Sequence, residues 1–176
     1  MKILIVMDMQ NDFIDGSLGT KSAEKIVPRV REKIYEYLSE NQKIIFTRET
    51  NYDNYLKTLR GYDIPISHCI YGTHGWEITS EFEKIERKCH IIDKETFGCY
   101  ELPAAILSCV GEDVNIEEIQ IVGLCTDVSI IANALILRAG LPETKISIVE
   151  ECCAGTTNEK HKATLEVMKS CQIYIN

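Results

Sequence analysis

Several polar residues in this chain sit directly after short apolar runs: Asp8, the pair Arg48 and Glu49, the pair Asp93 and Lys94, and the stretch Gly123 to Asp127, with Ser129 two residues on. A carboxylate can carry protons, an ammonium can hold a developing negative charge, and a hydroxyl or thiol at a helix start can attack a carbonyl. Each also has an ordinary explanation: Asp8 could cap a turn, Lys94 could be a surface charge, and Ser129 could simply begin a helix. Taken singly, those explanations outweigh chemistry. Together they ask whether the fold gathers these side chains in one place.

The apolar runs themselves have the composition of buried strands. They recur, rich in β-branched residues, at Ile3 to Met7, Ile44 to Thr47, Cys89 to Ile92, Ile119 to Gly123, Ile146 to Val149 and Gln172 to Ile175. Short, nearly continuous apolar stretches of this kind fit strands covered on both faces. Helical spacing separates most of them, at Ala23 to Ser39, Leu102 to Val110, Asp127 to Ala139 and Glu159 to Ser170. This alternation predicts an α/β fold: a three-layer α/β/α sandwich around a doubly wound, mostly parallel six-stranded sheet. In such sheets the ligand crevice lies beyond the carboxyl ends of the strands, where the polar residues above fall. The exception is Arg48 to Glu77, a long connection with Gly61, Pro65, Gly72 and Gly75 and no sustained period. Connections of that length often serve as lids or binding loops, and otherwise as linkers.

The 176 residues are 45% hydrophobic and 26% charged, with 10 Gly and 4 Pro. That bounds the chain as one globular domain over 1–176 and excludes disordered and fibrous classes. A net charge of -8 repels phosphate backbones, and no basic cluster interleaved with aromatics offsets it, so nucleic acid is not an expected partner. The run ILIVM stops at Asp8, too short for a signal sequence or a membrane span, so a cytoplasmic protein without a membrane partner is expected. The 8 cysteines then read as free thiols, with Cys89, Cys109 and Cys171 as small buried hydrophobes, and the lack of a CxxC pair argues against structural zinc.

Three stretches resemble the isochorismatase-like hydrolases, in order and spacing, across essentially the whole chain. They are MDMQNDF at Met7 to Phe13, Lys94 followed by TFGCY, and GLCTDVS at Gly123 to Ser129 entering a helix. The resemblance is strongest to the nicotinamidase-like branch of cysteine hydrolases. In nicotinamidases and carbamoylsarcosine amidohydrolases these stretches supply an Asp, a Lys and a Cys, which places the catalytic set at Asp8, Lys94 and Ser129. The resemblance implies hydrolysis of a small amide: residue 129 attacks, Asp8 shuttles the proton to the leaving amine, and Lys94 supports both charges. Backbone amides of Cys125 and Ser129 would form the oxyanion hole, and the Leu124–Cys125 peptide is expected to be cis. Asp127 reads as a cap or charge for the helix N-terminus.

The chain departs from that pattern twice. Serine stands at position 129 where those hydrolases carry cysteine, and an alkoxide is much harder to form than a thiolate. A cysteine-to-serine replacement made at this position, a natural serine branch, and a relative without covalent catalysis would each produce it; the intact surrounding motif favours the first. The second departure concerns metal. Similar nicotinamidases carry an Asp-x-His pair and a further His that hold a divalent ion, whereas here the pair reads Glu49-x-Asn51, with His68 in the downstream place and Arg60 near an acidic position. Glu49 and His68 alone are too few ligands for zinc, so a metal-free pocket is expected, with Arg60 either pairing with Glu49 or binding a substrate carboxylate. The expected pocket residues are Phe13, Glu49, Asn51, Arg60, Tyr71 and Trp76, with two alternatives left open: Arg60 as a free arginine in an exposed loop, and Tyr71 and Trp76 as packing within the long connection. His74, His90 and His161 receive no role.

Two other functions compete. An isochorismatase-type vinyl ether hydrolase would use Asp8 as a general acid and need no nucleophile, and a non-catalytic binding protein could keep the fold with altered site positions. Cys125 taking over as nucleophile is a lesser alternative. The resemblance further implies a homo-oligomer, and the apolar IANALIL run of the Asp127 to Ala139 helix could lie at its interface or simply in the core.

Overall fold

The computed structural model describes residues 1–111 and 114–176. In chain order the elements are β1 (Lys2–Met7), α1 (Asn11–Ile14), α2 (Lys21–Ser39), β2 (Lys43–Glu49), α3 (Leu59–Asp63), α4 (Glu83–Glu86) and β3 (His90–Lys94). There follow α5 (Leu102–Val110), β4 (Glu118–Leu124), α6 (Ile131–Gly140), β5 (Lys145–Ala154), α7 (Asn158–Ser170) and β6 (Tyr174–Ile175). The strands form one sheet in the order β3-β2-β1-β4-β5-β6, and every pairing is parallel. Runs such as ILIVM are buried on both sides, as a parallel sheet between helical layers requires. No helix among the described residues is long and apolar enough to cross a membrane.

Side chains alternate between two cores. Leu4, Val6, Ile44, Phe46 and Val122 pack with Val30 and Ile34 of α2 and with Phe82. Ile3, Ile5, Ile45, Ile121 and Ile148 pack on the other face with Leu102 and Ile106 of α5, Leu137 of α6 and Leu165 of α7. Helix starts are marked locally: Thr20 Oγ1 accepts from Ala23 N at 3.0 Å and Thr157 Oγ1 from Lys160 N at 3.2 Å, satisfying amides that have no partner within the helix.

The expected α/β sandwich is therefore the observed one, with differences at element ends. β3 runs on to Lys94 because Arg48 and Glu49 of β2 pair with Asp93 and Lys94, and the Arg48 guanidinium bonds the Asp93 carboxylate; polar residues continue a strand whose apolar run has ended. β5 extends to Ala154, past the exposed Glu150 and Glu151, across a register shift opposite Ile121 and Gly123. β6 shortens to two residues because Gln172 adopts a left-handed turn at φ 62°. All eight cysteines are unpaired; Cys89, Cys109 and Cys171 pack beside the cores but remain half-buried rather than fully enclosed.

The chain winds outward from β1 to β3, then returns to β4 on the other side of β1. The strand order thus reverses between β1 and β4, and the crevice opens at their carboxyl ends.

Candidate active site

Asp8 follows β1 directly, turns the chain with φ 47° and is fully buried. Its Oδ1 accepts from Thr47 Oγ1 at 2.6 Å, and that hydroxyl oxygen accepts from Asp8 N at 3.2 Å. Its Oδ2 lies 2.6 Å from Lys94 Nζ, and no further donor reaches that oxygen among the described residues. Lys94, the last residue of β3 and itself buried, directs the same ammonium to Ser129 Oγ at 3.5 Å and Thr96 O at 3.2 Å. Asp8, Lys94 and Ser129 therefore converge, from three strand ends, on one ammonium. Burial pushes the Asp8 carboxyl above its ordinary range; Lys94 pulls it down, and the neighbouring Glu49 charge adds to the rise.

β4 leads through a cis Leu124–Cys125 peptide, in agreement with the resemblance, into a wide π turn over Thr126–Ile130 that precedes α6. Val128 N and Ile130 N both bond back to Cys125 O at 3.1 Å. Burial, with the charges of Asp127, Asp8 and Glu49, pushes the Cys125 thiol up to about 12. A thiol so placed stays protonated near neutral pH, which speaks against it as the nucleophile. Asp127 does not cap its own helix. Its carboxylate accepts from Thr156 N at 2.7 Å and Thr156 Oγ1 at 2.5 Å, tying the turn to the segment after β5.

Asn133, on α6, was not among the expected residues. It is fully buried; Nδ2 donates to Ser129 O and Phe97 O at 2.8 Å each, and Oδ1 accepts from Cys99 N at 2.9 Å. One side chain thus pins the turn bearing Ser129 to the loop after Lys94. The available signal was a lone amide inside the apolar IANALIL run, since a buried amide needs partners for every polar atom.

A second polar cluster surrounds Glu49, at the end of β2. His68 Nε2 stands 3.3 Å from Glu49 Oε1, while His68 Nδ1 faces Ile66 O at 2.7 Å. Asn51 Nδ2 donates to His68 O at 3.0 Å and Glu49 Oε1 at 3.4 Å. Asn51 Oδ1 accepts from Arg60 Nη2 at 2.9 Å, and Arg60 Nη1 lies 3.6 Å from Glu49 Oε1. Lys94 Nζ is 3.9 Å from Glu49 Oε2, so the cluster adjoins the first one. These residues do not fit the divalent ion implied by the nicotinamidase resemblance. Both His68 nitrogens face oxygens, the Asn51 oxygen is taken by a guanidinium, and that guanidinium would repel a cation. Among the described residues no group of three or more His, Cys, Asp or Glu is arranged to hold a metal.

A cavity of about 370 Å³ is lined by Ser129 of the first cluster and by Glu49, His68 and Arg60 of the second, while Asp8 and Lys94 lie outside its lining. Phe13, Glu49 and Arg60 line it as expected, with His68, Cys125 and Ser129; Leu18, Tyr55, Ile64, Phe97 and Val128 complete mostly apolar walls. Asn51, Tyr71 and Trp76, expected in the pocket, lie outside its lining. Asn51 is buried behind Arg60 and Glu49. Tyr71 is exposed and packs on Trp76 at 4.9 Å, and the Trp76 ring carries the Arg48 guanidinium at 3.8 Å while its Nε1 donates to Thr50 Oγ1 at 2.9 Å. This aromatic pair braces the long connection rather than walling the site. Tyr55, which sequence reasoning missed, fixes the loop from within by donating to Ile64 O and Arg60 O.

A family model described as the isochorismatase domain matches residues 2–175. Among solved structures, the pyrazinamidase of Pyrococcus horikoshii in complex with zinc is 26% identical, with a TM-score of 0.79 over 99% of this chain and 98% of that one. The pyrazinamidase/nicotinamidase of Streptococcus mutans is 19% identical, TM-score 0.84, over the whole of both chains, 100% of each. The N-carbamoylsarcosine amidase of Thermoplasma acidophilum is 21% identical, TM-score 0.79, over 99% and 95%. No curated protein matches the chain.

Proposed function

Because this chain belongs to the isochorismatase domain family, we propose that it hydrolyses the carbon–nitrogen bond of a small amide, with Asp8, Lys94 and residue 129 as the working groups. The single observation that carries this reading is the shared ammonium: Lys94 Nζ stands 2.6 Å from Asp8 Oδ2 and 3.5 Å from Ser129 Oγ, beside a cavity of small-molecule size. The names of the similar pyrazinamidase and N-carbamoylsarcosine amidase point to the same bond type.

In this scheme residue 129 adds to the amide carbonyl carbon and its proton passes to Asp8. Cys125 N and Ser129 N receive the developing oxyanion, and Lys94 offsets charge on both neighbours. The carbon–nitrogen bond then breaks, and the departing amine takes the proton from Asp8. Water attacks the acyl-enzyme, gives its proton to Asp8, and the acid leaves as residue 129 regains a proton. Serine slows the first step, because the hydroxyl holds its proton far more tightly than a thiol and a carboxylate is a weak base for it. We expect Ser129→Cys to raise ammonia release on its best small amide by at least about a hundredfold. A panel of small amides on which the cysteine form stays as inert as the serine form ends the amidase reading.

One observation favours a second reading. A buried carboxyl held above its ordinary range, as Asp8 is, suits a general acid, which is what hydrolysis of an isochorismate-type vinyl ether requires without any nucleophile. Pyruvate release from isochorismate, retained in Ser129→Ala, would select that reading over the amidase one.

A further inference from the structure

Among the described residues Arg60 is the only arginine or lysine lining the cavity, and most of its donors are unspent. A guanidinium carries five N–H groups in a flat fork. Here Nη2 donates to Asn51 Oδ1, while Nη1 forms the expected ion pair with Glu49 Oε1 at 3.6 Å, beyond hydrogen-bond reach, so the fork keeps unspent N–H donors. Glu49 is otherwise engaged: one oxygen takes His68 Nε2 and Asn51 Nδ2, and the other faces Lys94. The Arg60 side chain remains 31% accessible.

The fork is also held in place before any ligand arrives. Asn51 is satisfied only with its oxygen toward Arg60, because its nitrogen faces a carbonyl and a carboxylate. Thr58 Oγ1 caps α3 by accepting from Gly61 N, and Tyr55 bonds the Arg60 carbonyl. Preorganised donors of this kind bind a planar anion with little ordering cost.

We infer that Arg60 is a substrate-binding residue and that the substrate is an amide bearing a carboxylate, which the guanidinium takes at one end of the cavity while the amide carbon meets residue 129 at the other. The inference rests on the amide-hydrolase reading and adds the substrate class to it. Phe13, Leu18, Ile64, Phe97 and Val128, which line the same cavity, suit a short hydrocarbon or a flat ring. Asp63, on the same short helix and in the same wall, is the acidic group that argues for a cationic substrate instead, and the test includes that arm.

The test is binding to the serine-bearing protein, followed calorimetrically with matched small amides that differ only in a terminal carboxylate, neutral carboxamide or ammonium. The carboxylate member should bind at least tenfold more tightly than the neutral one. Arg60→Gln should bring that ratio to near one, and Arg60→Lys should restore only part of it. Added zinc should neither bind stoichiometrically nor alter the ratio. The inference is overturned by a neutral or cationic member binding as tightly as the anionic one, by none of the three binding, by a preference that survives in Arg60→Gln, or by stoichiometric zinc. Ammonia release from the Ser129→Cys form reads the parent proposal separately. Release without a carboxylate preference leaves the amidase and removes the anchor; an Arg60-dependent preference without release leaves the anchor and removes the amidase.

Discussion

Glu49 is a buried carboxylate approached by three basic side chains, His68, Lys94 and Arg60. Burial alone would raise its carboxyl; the His68 hydrogen bond and the Lys94, His68 and Arg60 charges instead bring it below the ordinary range. For His68, burial alone would lower the imidazole, and the bonds to Glu49 and Ile66 O carry it above its ordinary value. The two shifts describe one interaction seen from both partners. Glu49's contribution is complete above its unfolded value of 4.5 and is lost as pH falls through its lowered folded value. His68's contribution is complete below its unfolded value of 6.5 and is lost as pH rises through its raised folded value. Glu49→Gln should therefore destabilise the fold by about 3 kcal/mol near pH 5.5, since it leaves the buried His68 imidazolium without its counter-charge. That deficit should shrink toward both acid and alkaline pH in thermal melts; a deficit independent of pH contradicts the pairing.

At the scale of elements, the site depends on how closely β1 and β4 approach where they end. Gly123 pairs with Met7 and adopts φ 116°, and a Cβ there would stand 2.1 Å from Met7 O. A side chain is excluded both by the backbone conformation and by the neighbouring strand. Gly123→Ala should push apart the strand ends that carry Asp8 and the Ser129 turn. We expect a loss of about 3 kcal/mol or more together with loss of ligand binding, read by denaturant unfolding and calorimetry; an alanine variant with unaltered affinity would show that the approach is not needed. Such glycines are visible in a sequence, but the carbonyl they must accommodate, 116 residues earlier in the chain, is not.

Over the whole molecule, two cores share one sheet, so loosening one face should be felt as lost stability rather than as altered chemistry. Ile121, in the middle of β4, is fully buried in the core formed with α5, α6 and α7. Ile121→Ala should cost about 2–5 kcal/mol through lost burial and the cavity left behind, while the folded fraction keeps its affinity for the carboxylate-bearing amide. A change in affinity larger than the change in folded population would mean that the core sets the site's geometry more directly than its distance along the strand suggests.

The alternation of apolar runs with helical spacing was enough to read the α/β class, the parallel sheet and the strand ends at which Asp8, Lys94 and Ser129 stand, because burial on both faces leaves a continuous apolar signature in the chain. Motif spacing carried the same three residues and the cis peptide through the family resemblance. What only the folded chain decided was contact across elements. It set Arg60 on Asn51 rather than free in a loop, put Trp76 under Arg48 instead of beside the substrate, turned Asp127 toward Thr156, and made Asn133 the tie between the Ser129 turn and the loop after Lys94. Hydrogen bonds and ring contacts of that kind depend on directions and distances between residues remote in sequence, and local residue patterns carry no record of them.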